Sequence, residues 1–176
     1  MTILRIEEFQ ISNDQHQAIQ HLLAECFEGY PADRSYFKQL PSFRFLTYDN
    51  DQLIGHLAVE HRMISVADQP ATIFGVVDIC VHPDFRHQQI ASTLLDKLEK
   101  LGRKHQINFV LLTATDHQLY TNLGYNVCSH PCRWLLIRDH KTMGVHHRRL
   151  DNSLLVKSLG EQIWPAGVVD FLGEVF

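Results

Sequence analysis

The sequence predicts an α+β chain in which a mixed, mostly antiparallel twisted sheet holds one central parallel strand–helix–strand crossover and is flanked by helices. Three observations lead there. Short apolar segments alternate and are punctuated by turn residues, the mark of strands. After Pro83 the apolar period lengthens to that of a helix, with Ile90, Ala91, Leu94, Leu95, Leu98 and Leu101 on one face. A short apolar run, Ile107–Thr113, follows that helix directly, as the second strand of a parallel pair does. The chain has 176 residues with 45% apolar and 20% charged side chains, so residues 1–176 are expected to form a single domain with its own core.

The elements follow in order. Leu4–Ile11 alternates loosely and reads as an edge strand. Ser12 and Gln15 have the spacing of a capping box, and the helix after them carries Ala18, Ile19, Leu22, Leu23, Cys26 and Phe27 on one stripe. Gly29-Tyr30-Pro31 ends it. A short helix is expected over Asp33–Gln39. Phe43–Tyr48 and Leu53–Val66 read as a hairpin around Asp49-Asn50-Asp51. Ala67–Pro70 turns the chain into Ala71–Val81, whose unbroken apolar character points to a central strand. A brief helix over His117–Leu123 stops at Gly124, a favoured C-cap residue. Tyr125–Cys128 and Arg133–Arg138 are expected to pair as a final hairpin, with further strands over Leu154–Leu159 and Val168–Phe171.

Composition narrows the function. A net charge of −4 with histidine neutral argues against nucleic acid as a partner and suits a cationic substrate. The twelve histidines are scattered, and His146-His147 beside Arg148-Arg149 reads as an exposed basic turn. Cys128 and Cys132 bracket His130, yet no second ligand pair stands at zinc-like spacing, so no metal is expected. Cys26, Cys80, Cys128 and Cys132 read as reduced thiols. No apolar run reaches the length of a membrane span and no leader is visible. The expectation is a cytoplasmic monomer or homodimer without a membrane partner.

The informative stretch runs from Val76 to Leu95. A buried strand ends at Pro83, a polar loop follows, and an amphipathic helix begins. The first amides of a helix lack intrahelical acceptors and carry partial positive charge, so a loop feeding them is a natural pyrophosphate cradle. Arg86 adds a cation at its mouth.

Arg86-His87-Gln88-Gln89-Ile90-Ala91, with Val81-x-Pro83 before it and Leu94-Leu95 after it, resembles the Arg/Gln-x-x-Gly-x-Gly/Ala motif of the GNAT superfamily of N-acetyltransferases. A second stretch, Leu111–Tyr125, resembles that family's strand, short helix and Leu-Tyr-x-x-x-Gly-Phe/Tyr signature, here Leu119-Tyr120 through Gly124-Tyr125. The resemblance implies the GNAT fold and acetyl-CoA, or a related acyl-CoA, as co-substrate. It assigns coenzyme A contacts to Ile79, Cys80, Val81, Arg86, His87, Gln88, Gln89, Ile90, Ala91, Ser92, Thr113, Asp116 and Tyr120. Tyr120 becomes the acid that protonates the leaving thiolate, a role that suits a phenol. Gln89 departs from the pattern, because glycine stands there in the family and allows close phosphate approach. Weakened cofactor binding, or a non-catalytic sensor module, is the consequence to weigh.

An attacking amine must lose a proton. Asp78 is the candidate base, being the only charge in its apolar strand; a structural partnership with a nearby Arg or His explains it equally well. Glu60 and His61 are secondary candidates. Cys80 has the chemistry of an acylated nucleophile, but a small core residue and direct transfer are the preferred reading. Phe43-Arg44, Ile54-Gly55-His56 and Trp164–Gly167 resemble nodulation protein A, and Ala114–Thr121 with the tryptophan-containing tail resembles aminoglycoside 2′-N-acetyltransferases. Both relatives acylate an amine on a sugar, which implies a small-molecule amine acceptor of amino-sugar type, with Asp170 and Glu174 as holders of its charge. Acylation of a peptide or protein N-terminus is the enzymatic alternative.

Overall fold

The computed structural model describes residues 1–150 and 153–176; the expected single domain includes positions 151 and 152, which lie outside the described residues. The chain resolves into two compact units, Met1–Glu60 with Val77–Lys97, and His61–Val76 with Leu98–Phe176. Among the described residues, ten strands make a mixed sheet with parallel pairs at Ile73–Val76 against Phe109–Leu112 and at Val169–Asp170 against Cys132–Arg133. The fold class is α+β, as the sequence predicts.

In the first unit, β1 (Thr2–Glu7) pairs antiparallel with β2 (Phe43–Asp49), placing Thr2 opposite Tyr48 and Glu7 opposite Phe43. β2 pairs in turn with β3 (Gln52–Val66), with a bulge between Thr47 and Tyr48. Helix α1 (Asn13–Cys26) begins with the predicted capping box: Gln15 N donates to Ser12 Oγ at 3.2 Å, and Ser12 N donates to Gln15 Oε1 at 3.0 Å. Such a cap contributes about 1 kcal/mol. Ile19, Leu22 and Leu23 on the predicted stripe are buried against Leu46, Leu53 and Cys80. Each contributes about 1.5–3 kcal/mol by leaving water.

Two expectations fail here, for one reason. The strand expected through Ile11 stops at Glu7, and Glu8–Gln10 forms a 3-10 turn. No helix forms over Asp33–Gln39, which is irregular. Glu8 and Ser35 both spend their polar groups on Arg44, and that demand sets the path of both segments.

In the second unit, β4 (Gln69–Val81) pairs parallel with β5 (Phe109–Thr113) from Ile73–Phe109 to Val76–Leu112. The crossover between them is α2 (Ile90–Lys104). β5 pairs antiparallel with β9 (Leu154–Ser158), and β9 with β6 (Asn126–Val127). Short α3 (Gln118–Asn122) precedes β6. The core gathers Ile64, Ile73, Phe109, Leu111, Trp134, Val156 and Phe171.

The expected pairing of 125–128 with 133–138 does not occur. β6 goes to β9, whereas β7 (Cys132–Arg138) pairs with β8 (Lys141–Arg148) through a turn at Asp139 and His140 with φ of 48° and 58°. Positive φ at both central residues matches the right-handed strand twist. His146 and His147 therefore lie in a strand opposite Trp134 and Arg133, not in a basic turn. The last predicted strand shortens to β10 (Val169–Asp170). No helix among the described residues is long and apolar enough to cross a membrane.

Candidate active site

In the first unit, β4 runs through Asp78, Ile79, Cys80 and Val81 into a 3-10 turn, Pro83–Phe85, and then the loop 86–89. His87 and Gln89 have φ of 62° and 60°, left-handed values that cost a non-glycine residue roughly 1–2 kcal/mol. Gln89 thus adopts the conformation for which glycine is the natural choice. Its carbonyl accepts the first helical bond from Thr93 N at 2.9 Å, and the Ser92 and Thr93 hydroxyls each donate to it at 2.8 Å. The first turn of α2 contains no acidic residue, and its last turn carries Arg103 and Lys104. A helix start of this kind can accept an external anion.

Arg86, His87, Gln88 and Gln89 are exposed, and Ala91 and Ser92 half-buried. Arg86 Nε donates to the Val81 carbonyl at 3.4 Å. Ile90, the first residue of α2, packs so closely on Gly55 of β3 that a Cβ there would lie 2.9 Å from Ile90 Cγ2. Gly55 therefore sets how near the helix start approaches the sheet.

Asp78 also has a positive φ, 49°, so β4 is kinked at the proposed base. Its carboxylate Oδ2 accepts a 2.6 Å hydrogen bond from the Tyr30 hydroxyl. Burial raises the Asp78 pKa, while the Tyr30 bond and the charges of Arg44 and Lys38 pull the other way. Its main-chain oxygen meets His56 Nδ1 at 2.8 Å. His56 Nε2 lies 3.0 Å from Arg44 Nη1, a group that can only donate. His56 Nε2 must therefore accept, and Nδ1 carries the proton donated to Asp78. Burial first, and the Arg44 charge second, lower the His56 pKa to about 3. Arg44 is 0% exposed and is paid for by four partners: Glu8 by two bonds of 2.6 and 2.9 Å, the Ser35 carbonyl at 2.8 Å, the Ser35 hydroxyl and His56.

Cys80 is buried, and the neighbouring Cys26 thiol, together with burial, raises its pKa well above the ordinary thiol value. That disfavours it as the acylated nucleophile, a role that needs the thiolate at rest. Ile79 and Val81 are half-buried, as is Glu60.

In the second unit, Thr113 is exposed at the end of β5 and its hydroxyl donates to the carbonyl of Phe176 at 3.1 Å. The Phe176 ring covers Gly75, where a Cβ would meet it at 2.3 Å. Asp116 Oδ1 accepts from Gln118 N at 3.0 Å and so starts α3. Tyr120 is half-buried, its ring edge-on to Tyr125 at 6.0 Å. Burial, and then the charge of Asp116, raise its pKa, which keeps the phenol protonated. His61 is exposed and stacks edge-on to Phe74 at 5.5 Å. Asp170 is taken up by Arg133 at 2.5 Å and Glu174 by Arg62 at 3.8 Å, so neither carboxylate stands open for a cationic substrate. Among the described residues, no group of three or more His, Cys, Asp or Glu side chains is placed to hold a metal ion.

Tyr30, Glu8, Arg44 and His56 receive no role from sequence reasoning, although Arg44 and His56 stand in the stretches that resemble nodulation protein A. The available signal was Arg44 and His56 as isolated polar residues in apolar strands, the same signal that singled out Asp78.

Several solved structures share this architecture. The GNAT family N-acetyltransferase YhbS of Escherichia coli, solved with coenzyme A, is 19% identical with a TM-score of 0.65, over 96% of this chain and 88% of that one. A GNAT family acetyltransferase of Brucella melitensis, solved with acetyl-CoA, is 12% identical with a TM-score of 0.61, over 96% and 94%. Eis1 of Mycobacterium abscessus is 16% identical with a TM-score of 0.63 over 76% of this chain, which spans 33% of that protein. These likenesses establish the fold. The sequence profile of the acetyltransferase (GNAT) domain matches residues 10–128, more than half of the chain. The chain belongs to the GNAT acetyltransferase family.

Proposed function

We propose that this protein transfers an acyl group from acyl-CoA to a primary amine by direct attack of the amine on the thioester. The supporting observation is the backbone ahead of α2. His87 and Gln89 hold left-handed conformations, the kind of backbone from which anion-binding nests are built. The helix end behind them has no acid of its own, and Arg86 is anchored beside it on Val81. These groups fit a diphosphate. The non-glycine Gln89, which on sequence alone motivates a non-catalytic reading, has a left-handed backbone of the kind glycine adopts readily.

When bound, acyl-CoA supplies an activated carbonyl and a thiol leaving group. The amides of residues 87–91 and the Arg86 cation would hold the diphosphate, with Ser92 at the same helix turn. Backbone groups of Ile79, Cys80 and Val81 would hold the pantetheine arm, and Thr113 and Asp116 are the further cofactor contacts that the family resemblance implies. Asp78 takes the proton of the attacking amine; its raised pKa brings it nearer the range in which a base is effective. Tyr120, kept protonated by its raised pKa, would be the proton donor to the thiol leaving group. The acceptor class rests on the resemblance to sugar acylators and is an amino sugar.

Calorimetric titration with coenzyme A tests the cradle. Wild type should bind, and Arg86→Ala should lose about tenfold, ~1.4 kcal/mol. Absence of binding by wild type would remove the enzyme reading. Mass spectrometry after incubation with acetyl-CoA should find acetylated glucosamine-type amines and unmodified peptide N-termini; the reverse would move the acceptor to peptides.

A further inference from the structure

The last residue of α1, Cys26, stands at the edge of the cradle in a way the acyl-transfer reading does not use. Its Sγ lies 3.4 Å from the Val81 carbonyl oxygen, the same atom that accepts from Arg86 Nε at 3.4 Å. The thiol and the guanidinium therefore converge on one oxygen. Cys80 sits one residue earlier in β4, and its thiol interacts with that of Cys26. Cys26 is partly exposed and Cys80 buried. The two belong to the same apolar cluster, with Leu23 and Leu46 around them.

We propose that Cys26 and Cys80 form a reversible, peroxide-sensitive dithiol, with Cys26 the attacking and Cys80 the resolving residue. The Cys26 thiolate attacks one peroxide oxygen; the O–O bond breaks, an S–O bond forms, and the other oxygen leaves as water or alcohol after protonation. The Cys80 sulfur then attacks Cys26 sulfur, and the sulfenic oxygen leaves as water with the Cys80 proton. Two thiols and one hydroperoxide become one disulfide, one water and one water or alcohol.

The environment separates the two roles. The charged and titratable groups around Cys26 are Cys80, Arg86 and Glu25. The Cys80 thiol and the Arg86 cation outweigh burial and the Glu25 charge, and lower the Cys26 pKa to about 7. Thiolate next to a cation, with solvent access, marks a reactive cysteine. Cys128 and Cys132 supply the contrast, since burial raises both. The disulfide would tie α1 to β4 beside Arg86, so oxidation should also weaken the cradle. That consequence rests on the acyl-transfer reading, whereas the thiol chemistry needs no coenzyme A.

The full chain is treated with graded hydrogen peroxide, alkylated and mapped by peptide mass spectrometry, with dimedone present in a parallel Cys80→Ser sample. A Cys26–Cys80 disulfide reversed by dithiothreitol, and dimedone on Cys26 in Cys80→Ser, are expected. Untreated protein should alkylate at Cys26 about tenfold faster than at Cys128 at pH 7, and Arg86→Ala should slow it. Cys26 advancing to sulfinic acid without a disulfide, or Cys128 or Cys132 reacting first, would overturn the proposal. Either result would leave acyl transfer standing.

Discussion

His56 donates its Nδ1 proton to the main-chain oxygen of Asp78 at 2.8 Å, at the point where Asp78 takes a φ of 49° within a strand. The tautomer that does so is imposed from the other side of the ring by Arg44, and Arg44 is fixed by Glu8. A residue near the N-terminus therefore holds the kink at the proposed base through two buried side chains. Arg44 spreads its donors over Glu8, Ser35 and His56, and removing any one of these links leaves a buried partner short of a hydrogen bond.

His56→Leu should destabilise the protein by about 2–4 kcal/mol, because Arg44 loses an acceptor and the Asp78 carbonyl a donor. Denaturation in urea measures this; a loss under about 1 kcal/mol would show that the kink holds itself.

The pH dependence has a definite sign. His56 is neutral in the fold down to about pH 3, whereas in the unfolded chain it charges near pH 6.5. Between these values the unfolded state binds the extra proton, so this contribution is complete above pH 6.5 and declines as pH falls toward 3. Asp78, with its pKa raised in the fold, acts oppositely: its contribution is present below the unfolded pKa and lost as pH rises through the folded one. His56→Gln should remove up to one proton from the slope of stability between pH 6.5 and 3. Superimposable slopes for variant and wild type would contradict the neutral assignment.

Arg44→Leu should cost about 3–5 kcal/mol, since it strands Glu8 in a nearly buried site. Glu8→Gln, which keeps a hydrogen-bonding partner, should cost less. Equal losses in chemical denaturation would show that the charge on Glu8 is the whole contribution.

Gln89→Gly should stabilise the chain by up to about 1 kcal/mol by relieving the left-handed strain and should bind coenzyme A at least as tightly. Gln89→Pro removes an amide and cannot reach φ 60°, so binding should be lost. Melting temperatures and calorimetry on both variants check this pair. Loss of affinity in Gln89→Gly would mean that the side chain, and not the backbone, serves the cradle.

Tyr120→Phe should lower turnover about a hundredfold with the KM for acyl-CoA nearly unchanged. Tyr30→Phe should act differently. The Tyr30 bond favours the charged form of Asp78, so without it the Asp78 pKa rises further and the acidic limb of the rate–pH profile moves to higher pH. An unmoved limb would dissociate Asp78 from the base role.

Much of this was legible in local sequence. The capping box at Ser12 and Gln15, the α2 stripe and the run from Leu111 to Tyr125 each depend on residues a few positions apart, where spacing alone carries the signal. β8 was not legible: its residues are nearly all exposed, so no alternation marks it, and its turn is built from Asp139 and His140 without the usual glycine. The 33–39 segment resembles a helix because its demand on Arg44 comes from outside the window. Glu8, Ser35, Arg44 and His56 meet from four separate stretches, and nothing in any one of them announces the others. The conformation at Gln89 was hidden for a different reason, since residue type argued against a left-handed backbone and the surrounding fold holds one regardless.

The most direct measurement mixes the purified protein with acetyl-CoA and a panel of primary amines and follows free thiol. Amine-dependent release of coenzyme A thiol, abolished in Arg86→Ala and slowed in Tyr120→Phe, is the predicted result. No thiol release with any amine, in protein that binds coenzyme A, would contradict acyl transfer as the function.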